Sequence, residues 1–329
     1  MDRDTHTPQL LAIVGPTASG KSSLADRLGA TLGTSVVSVD AMQIYRHMDI
    51  GTSKMPRSIR RAPLVMIDRI LPNESYSVQQ FQLQARALVD ELIASGKPVV
   101  FCGGGGLYLD SVIDDMHFPQ GTHTSPARKK YEALSEQIGE YALWEYLEAR
   151  DPQSAACIHP HNARRVVRAL EMYDQGLSYA AQTSGLHVHA VKYPCLILGL
   201  DVPRDVLARR IEERVDEMLE QGLVEEVKSI YENYAPLSKT AAQAIGYKEL
   251  QTYLEGRCSL DAARAQIILN TKHYAKRQRS WFRRDKRVIW LHTADFSTQE
   301  ALFECALKLW QSYLTHGVEY VRAQVEAGA

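Results

Sequence analysis

The chain has 329 residues, enough for one large domain or two ordinary ones, and its 45% apolar and 23% charged content is that of a soluble globular protein. A net charge of −1 excludes a chain that attracts polyanions over its whole surface, so any nucleic-acid surface must be a local patch. No apolar run reaches the roughly 18 residues of a membrane span, and the polar opening MDRDTHTPQL lacks the apolar region of a signal peptide. Five scattered cysteines (Cys102, Cys157, Cys195, Cys258, Cys305) with no CxxC pair point to a reducing, cytoplasmic setting and away from a disulfide frame or a structural zinc.

In chain order, LLAIVG (10–15) reads as a buried strand ending in glycine, followed by helix signals from Lys21 to Leu32. SVVSVD (35–40) is a second β-branched run, and LVMID (64–68) a weaker third. Helical periodicity from Gln79 to Ser95 puts Phe81, Ala85, Leu88, Leu92 and Ile93 on one face, and Gly96-Lys97-Pro98 stops it. PVVFCGG (98–104) is another buried-type strand. Strands alternating with helices imply a parallel sheet covered on both faces. From 115 to 193 the pattern is mostly helical, through SPARKKYEALSEQIG, EYALWEYLEARD and NARRVVRALEMYDQG. PCLILGLDVP (194–203) then returns as a strand, long helical patterns fill 204–234 and 259–284, and 299–329 reads as one or two terminal helices. The fold expected is α/β: a P-loop NTPase-like parallel sheet flanked by helices, built from 1–114 and 194–329, with a helical insertion at 115–193. No sustained heptad is visible, and a monomer is expected.

Gly15-Pro16-Thr17-Ala18-Ser19-Gly20-Lys21-Ser22 matches G-x-x-x-x-G-K-[ST] at every fixed position, between a strand and a helix. Its glycines let backbone N–H groups ring an anion, the helix dipole adds positive potential, Lys21 adds a full charge, and the Ser22 hydroxyl can ligate Mg²⁺. Such loops occur in nucleotide-binding, chiefly ATP-binding, proteins, but the motif does not distinguish a nucleoside triphosphate from another pyrophosphate. Asp40 ends the next strand, at the rim where ligands of parallel sheets bind. It can act as a general base, ligate Mg²⁺ or cap a helix. The histidines at 117, 123, 159, 161, 187 and 189 have no convincing metal spacing, and His187-Val188-His189 reads as strand or loop.

DAMQIYRHMDIGTSKM (40–55), GGGGLY (103–108), IHPHNARRVVRALEMY (158–173), QAIGYKEL (243–250) and TKHYAKRQRSWFRRD (271–285) resemble, in order, the motifs of tRNA dimethylallyltransferases, also called tRNA isopentenyltransferases. The family segment is D-S-x-Q-x-Y-x-x-M-D-I-G-T-A-K for the first. The others are G-G-T-x-L-Y, H-x-N-D-x-x-R-x-x-R-A-L-E-V and the family's last two motifs. Three positions depart from the pattern. Gly105 stands for a usual Thr or Ser and removes its hydroxyl, His161-Asn162 replaces Asn-Asp, and Ala41 replaces Ser.

The resemblance implies transfer of a dimethylallyl group from dimethylallyl pyrophosphate to N6 of adenosine-37, beside the anticodon of tRNA, with Mg²⁺ assisting and no ATP consumed. On that reading Asp40, Thr17 and Lys21 carry the chemistry, with Asp40 as general base. Residues 15–22 hold the donor pyrophosphate, with hydroxyl contacts from Thr17 and Ser19, and Ser22 holds the metal. The tRNA anticodon stem-loop would meet Asp40, Ala41, Met42, Gln43 and Gly105. It would also meet Gln243, Gly246, Tyr247 and Lys248, where a glycine between apolar residues suggests close approach of backbone to a ligand. Met42, Ile44 and Tyr45 could equally line a pocket or sit in the core. The insertion would contact the stem-loop through Arg164, Arg165 and Arg168, which could instead close over pyrophosphate or lie on a plain surface helix.

KHYAKRQRSWFRRDKR (272–287) holds eight Lys or Arg against one Asp, interleaved with Tyr274, Trp281 and Phe282. Helical spacing aligns Lys272, Lys276, Arg279 and Arg283 on one face, a pattern suited to RNA phosphates and unstacked bases. Lys276, Arg277, Arg279, Trp281 and Arg283 are the tRNA-binding residues expected here, although Trp281 and Phe282 could belong to the core. A P-loop kinase gives no reason for this segment. An adenylate isopentenyltransferase would need neither it nor the insertion, and a non-catalytic RNA-binding protein would need no intact GKS and Asp40.

Overall fold

A computed structural model describes residues 9–118, 125–185 and 190–328. The readings made for residues 1–8, for His123 and for His187-Val188-His189 lie outside them. The chain divides into two compact units at Ile113/Asp114 and Val191/Lys192.

The first unit begins β1 (Leu10–Val14), α1 (Lys21–Thr31), β2 (Val36–Ser38), β3 (Leu64–Val65), α2 (Val78–Ala94), β4 (Val99–Gly103) and α3 (Gly106–Ile113). The second unit holds α4 (Pro126–Ile138), α5 (Glu140–Glu148), α6 (Pro152–Ala156), α7 (Ala163–Tyr173) and α8 (Tyr179–Gly185). The first unit resumes with β5 (Cys195–Asp201), α9 (Arg204–Glu220), α10 (Leu223–Tyr234), α11 (Tyr247–Leu254), α12 (Leu260–Arg284), β6 (Val288–His292), α13 (Gln299–His316) and α14 (Val318–Gly328).

The strands form one six-stranded sheet in the order β3-β2-β4-β1-β5-β6, and every pairing is parallel. β1 shows why such strands read as unbroken apolar runs. Leu10, Ala12 and Val14 join the core on one face with α2 and α9–α12, while Leu11 and Ile13 join the core on the other with α1, α13 and α14. Both faces are buried, so neither set can be polar. β1 lies between β4 and β5, where successive connections leave in opposite directions across the sheet. The loop after β1 therefore sits at the carboxyl-end rim, where α/β sheets bind ligands.

Several local expectations need correction. LVMID gives only a two-residue strand, because Met66 and Asp68 turn to φ 59° and 55°. The helical pattern 204–234 is two helices, broken at Gly222, whose φ of 98° suits glycine. β6, in VIWLH, was not anticipated, and it extends the sheet beside β5. The α2 stripe includes Val89 as a fully buried member beside Phe81 and Ala85, and Ser77 and Gln80 close the α2 start as a reciprocal capping box.

In the second unit, Tyr131, Leu143, Leu147, Val166, Ala169 and Leu170 form a separate core. Buried Glu171 accepts hydrogen bonds from Ser125 and Arg168. No helix among the described residues is long and apolar enough to cross a membrane.

Candidate active site

The loop between β1 and α1 has the left-handed turns that its glycines allow, with φ 146° at Gly15 and 90° at Gly20. Ala18 also takes a positive φ of 61°, a conformation costly for an L residue. A Cβ at Gly15 would lie 3.0 Å from the Leu200 carbonyl oxygen and 3.2 Å from Ser19 Oγ, so a side chain there would crowd both as well as strain the backbone. Ser19 is 3% exposed and its hydroxyl has no hydrogen-bond partner among the described residues. A buried orphan hydroxyl inside a ring of N–H groups is a position an anionic oxygen can satisfy.

Lys21 Nζ donates to the Pro16 carbonyl at 3.1 Å. Burial pushes its ammonium below the ordinary lysine range; nearby Cys102 and Asp40 oppose that shift and Arg214 adds to it. Arg214 comes from α9 and donates through Nε to Ser53 Oγ at 2.8 Å. Burial lowers its guanidinium as well, so two desolvated cations share the site. Sequence reasoning missed Arg214, but the signal was present: it shares a helix face with Leu207, Ile211 and Met218, all core-packed. A lone arginine on an apolar stripe asks for an anion. Ser22 lies in the first turn of α1, near the Cys102 thiol, which burial pushes up to about 11.

Asp40 follows β2. Its Oδ1 accepts from the Met42 N–H at 2.8 Å, which fixes the carboxylate at the start of a turn. Its charge is felt by Lys21 and by two desolvated tyrosines, Tyr108 and Tyr274, whose hydroxyls burial pushes up. Tyr108 packs its ring on Phe81 with centroids 4.6 Å apart. A carboxylate, a phosphate loop and an apolar aromatic wall therefore meet at one rim.

The DAMQIYRHMDIGTSK segment is held from within. Gln43 accepts from Ser38 Oγ at 2.8 Å and donates to the Thr52 carbonyl at 3.1 Å, so its amide is engaged in the turn. Lys54 Nζ donates to the Tyr45 carbonyl, Asp49 and Asp68 at 2.5, 2.7 and 2.5 Å. Glu226 accepts from the N–H groups of Asp49, Ile50 and Gly51 and from the Tyr247 hydroxyl. The Tyr247 ring lies where a Cβ on Gly51 would be. The IGYK motif thus braces the MDIG motif, with Tyr247 wholly buried as a strut. Gly246 has φ 96° and a Cβ there would lie 3.6 Å from Leu223, so the glycine serves a left-handed turn at the α11 start. Gln243 is exposed, Lys248 lies 3.6 Å from Glu249, Met42 and Ala41 are half-buried, and Ile44 and Tyr45 are core.

The four glycines 103–106 are packed on both sides. A Cβ at Gly103 or Gly105 would lie 2.6 or 2.5 Å from the Val39 carbonyl oxygen, while one at Gly104 or Gly106 would collide with Gln278 or Trp281 of α12. The basic face of α12 is partly spent on internal pairs. Lys272 bonds Glu212 at 2.6 Å, Arg279 bonds Asp201 at 2.5 Å, and Arg283 lies 3.6 Å from the same carboxylate. Trp281 turns inward and donates to Asp110 at 3.0 Å, and Phe282 is core. Lys276, Arg277 and Arg284 remain exposed.

In the second unit, Arg164 and Arg165 are exposed on α7, whereas Arg168 bonds Glu171 at 2.8 Å. Asn162, one of the departures from the resembled motif, caps α7 by accepting from the Arg165 N–H. No group of three or more His, Cys, Asp or Glu among the described residues can hold a metal.

A family model described as IPP transferase matches residues 43–285. A tRNA dimethylallyltransferase of Geobacillus thermodenitrificans is 43% identical, with 88% of this chain and 92% of the relative covered. One from Caldanaerobacter subterraneus is 39% identical over 90% and 95%. Among solved structures, a full-length tRNA isopentenylpyrophosphate transferase from Bacillus halodurans shares 34% identity, covers 98% of this chain and all of its own, and superposes with a TM-score of 0.67. A eukaryotic dimethylallyltransferase acting on tRNA shares 25% identity over 94% of this chain and 80% of its own, with a TM-score of 0.80. With its phosphate loop, its rim carboxylate and the motifs that brace them, this chain belongs to the IPP transferase family.

Proposed function

We propose that the protein transfers a dimethylallyl group from dimethylallyl pyrophosphate to N6 of adenosine-37 in the tRNA anticodon loop, releasing pyrophosphate. The observation that carries this reading is the fixed Asp40 carboxylate set within electrostatic reach of Lys21 in the phosphate loop, beside half-buried aromatic residues.

An exocyclic adenine amine is a weak nucleophile, since its lone pair is delocalised into the ring. As the N6–C1 bond forms and the allylic C1–O bond breaks, a proton must leave N6. Asp40 accepts it, a contribution of about 10²–10⁴ in rate. The electron pair of the C–O bond goes to pyrophosphate, whose added charge is neutralised by Lys21, Arg214 and the loop N–H groups. The Thr17 and Ser19 hydroxyls supply further donors. The Ser22 hydroxyl, with Asp40 in the same site and no cluster of three or more metal-ligating side chains among the described residues, would suit a Mg²⁺ ion held together with substrate phosphates rather than an all-protein cage. That ion would add positive charge at the leaving group. The acceptor base reaches such a rim only after leaving its stack. Tyr108 and Tyr274 offer apolar surface for base and prenyl chain. Exposed Lys276, Arg277, Arg164 and Arg165 are the candidate phosphate contacts. The half-buried Ala41 and Met42 and the backbone at Gly105 offer contact with the base.

The test is incubation with Mg²⁺, dimethylallyl pyrophosphate and an anticodon stem-loop carrying adenosine-37, followed by mass spectrometry of the RNA, with AMP and ATP as rival acceptors. Addition of one five-carbon unit to the stem-loop alone is expected. Addition to the free nucleotide, or ATP hydrolysis with no alkylation, would overturn the reading.

A further inference from the structure

A part-buried hydrogen bond joins the phosphate loop to the basic helix. The Thr17 N–H donates to Gln278 Oε1 at 2.8 Å, between residues 261 apart in the chain. Gln278 is 4% exposed, on the inner side of α12, where Ala275 and Phe282 are also buried. An apolar residue would be the ordinary occupant of such a position, and a buried amide is costly unless it is satisfied.

Its amide is held from both ends. The Nε2 end lies against Gly104, where a Cβ would collide with it. The oxygen is left facing the loop. Thr17 precedes Ala18, which takes the unfavourable φ of 61°, so the backbone here needs an outside partner to define it. Thr17 is partly buried, and its hydroxyl direction follows from the backbone that Gln278 holds.

We infer that Gln278 is a positioning residue for prenyl transfer: it fixes the Thr17 backbone, and hence the Thr17 hydroxyl, against the departing pyrophosphate, with Gly104 shaped to seat its amide. The inference rests on the proposed function. It adds a role for α12 that RNA contact does not supply, since the side chain faces away from solvent.

The experiment measures kcat, both KM values and Tm for the wild type, Gln278→Leu, Gly104→Ala, Thr17→Val and the Thr17→Val/Gln278→Leu double variant, with the stem-loop as acceptor. Gln278→Leu is expected to lower kcat by about 10²-fold, with the KM for RNA and the Tm near wild type. Gly104→Ala, which dislodges the amide from the other side, is expected to show the same pattern and carries the test should Gln278→Leu fail to fold. Because Gln278 acts through Thr17, the double variant is expected to match Thr17→Val within about threefold. An active wild type with an unaffected Gln278→Leu, or single losses that multiply in the double variant, would overturn this inference alone. A wild type that does not alkylate the stem-loop would overturn the reading of the site on which it rests.

Discussion

Lys54 shows how a side chain far from the chemistry can set it. Its ammonium is 3% exposed and gathers two carboxylates and a carbonyl from three turns of the segment that begins at Asp40. A lysine is rarely buried unless so partnered. Lys54→Met would leave Asp49, Asp68 and the Tyr45 carbonyl without their common donor, at a cost of about 1–3 kcal/mol. A lowered Tm together with reduced transfer is the expected result, read by thermal melting and the stem-loop assay. An unchanged Tm would show that the segment is organised by Glu226 and Gln43 alone. Gly105 is the opposite kind of residue. Its N–H donates to the Val39 carbonyl at 3.1 Å, and a Cβ would lie 2.5 Å from that oxygen. On this backbone the hydroxyl lost relative to the resembled motif has no room, so the departure is built into the close approach of the loop to β2.

At the scale of elements, α12 does two jobs on two faces. Its inner side seats Gln278 and Trp281 against the glycine loop, and part of its charge is tied to Glu212 and Asp201. The exposed remainder, Lys276, Arg277 and Arg284, is what the helix can offer to RNA. Counting basic residues in the sequence therefore overstates the free charge. Lys276→Ala and Arg277→Ala should each weaken stem-loop binding across sequences and flatten the dependence of log affinity on log salt by about 0.7–0.9 per lost phosphate contact. Filter binding over a salt series reads this directly. A slope that stays at the wild-type value would remove these side chains from the RNA interface.

For the molecule as a whole, what was legible in the sequence was what is local. β-branched runs ending in glycine or aspartate marked β1, β2, β4 and β5, and the phosphate loop carried its own strand-and-helix context. What stayed hidden depends on partners distant in sequence. β6 is five residues following a basic run and becomes a strand by pairing with β5. Met66 and Asp68 leave the strand at positive φ, beside the turn that Lys54 pins. Arg214 reaches Lys21 from α9, Glu226 braces residues 49–51 from α10, and Gln278 reaches Thr17 from α12. Asp40 was visible because it closes a β-branched run, although the strand itself stops two residues earlier at Ser38, while the hydrogen bond that fixes it required the turn to be seen.

The central claim is that this carboxylate removes the N6 proton, and the most direct measurement is single-turnover transfer to the anticodon stem-loop by wild type and Asp40→Asn. The affinities for donor and RNA would be measured beside it. Asparagine keeps the oxygen that accepts from the Met42 N–H and loses the basicity. The rate is predicted to fall by about 10²–10⁴-fold, with both affinities within about threefold of wild type. Transfer at the wild-type rate by Asp40→Asn would contradict the account.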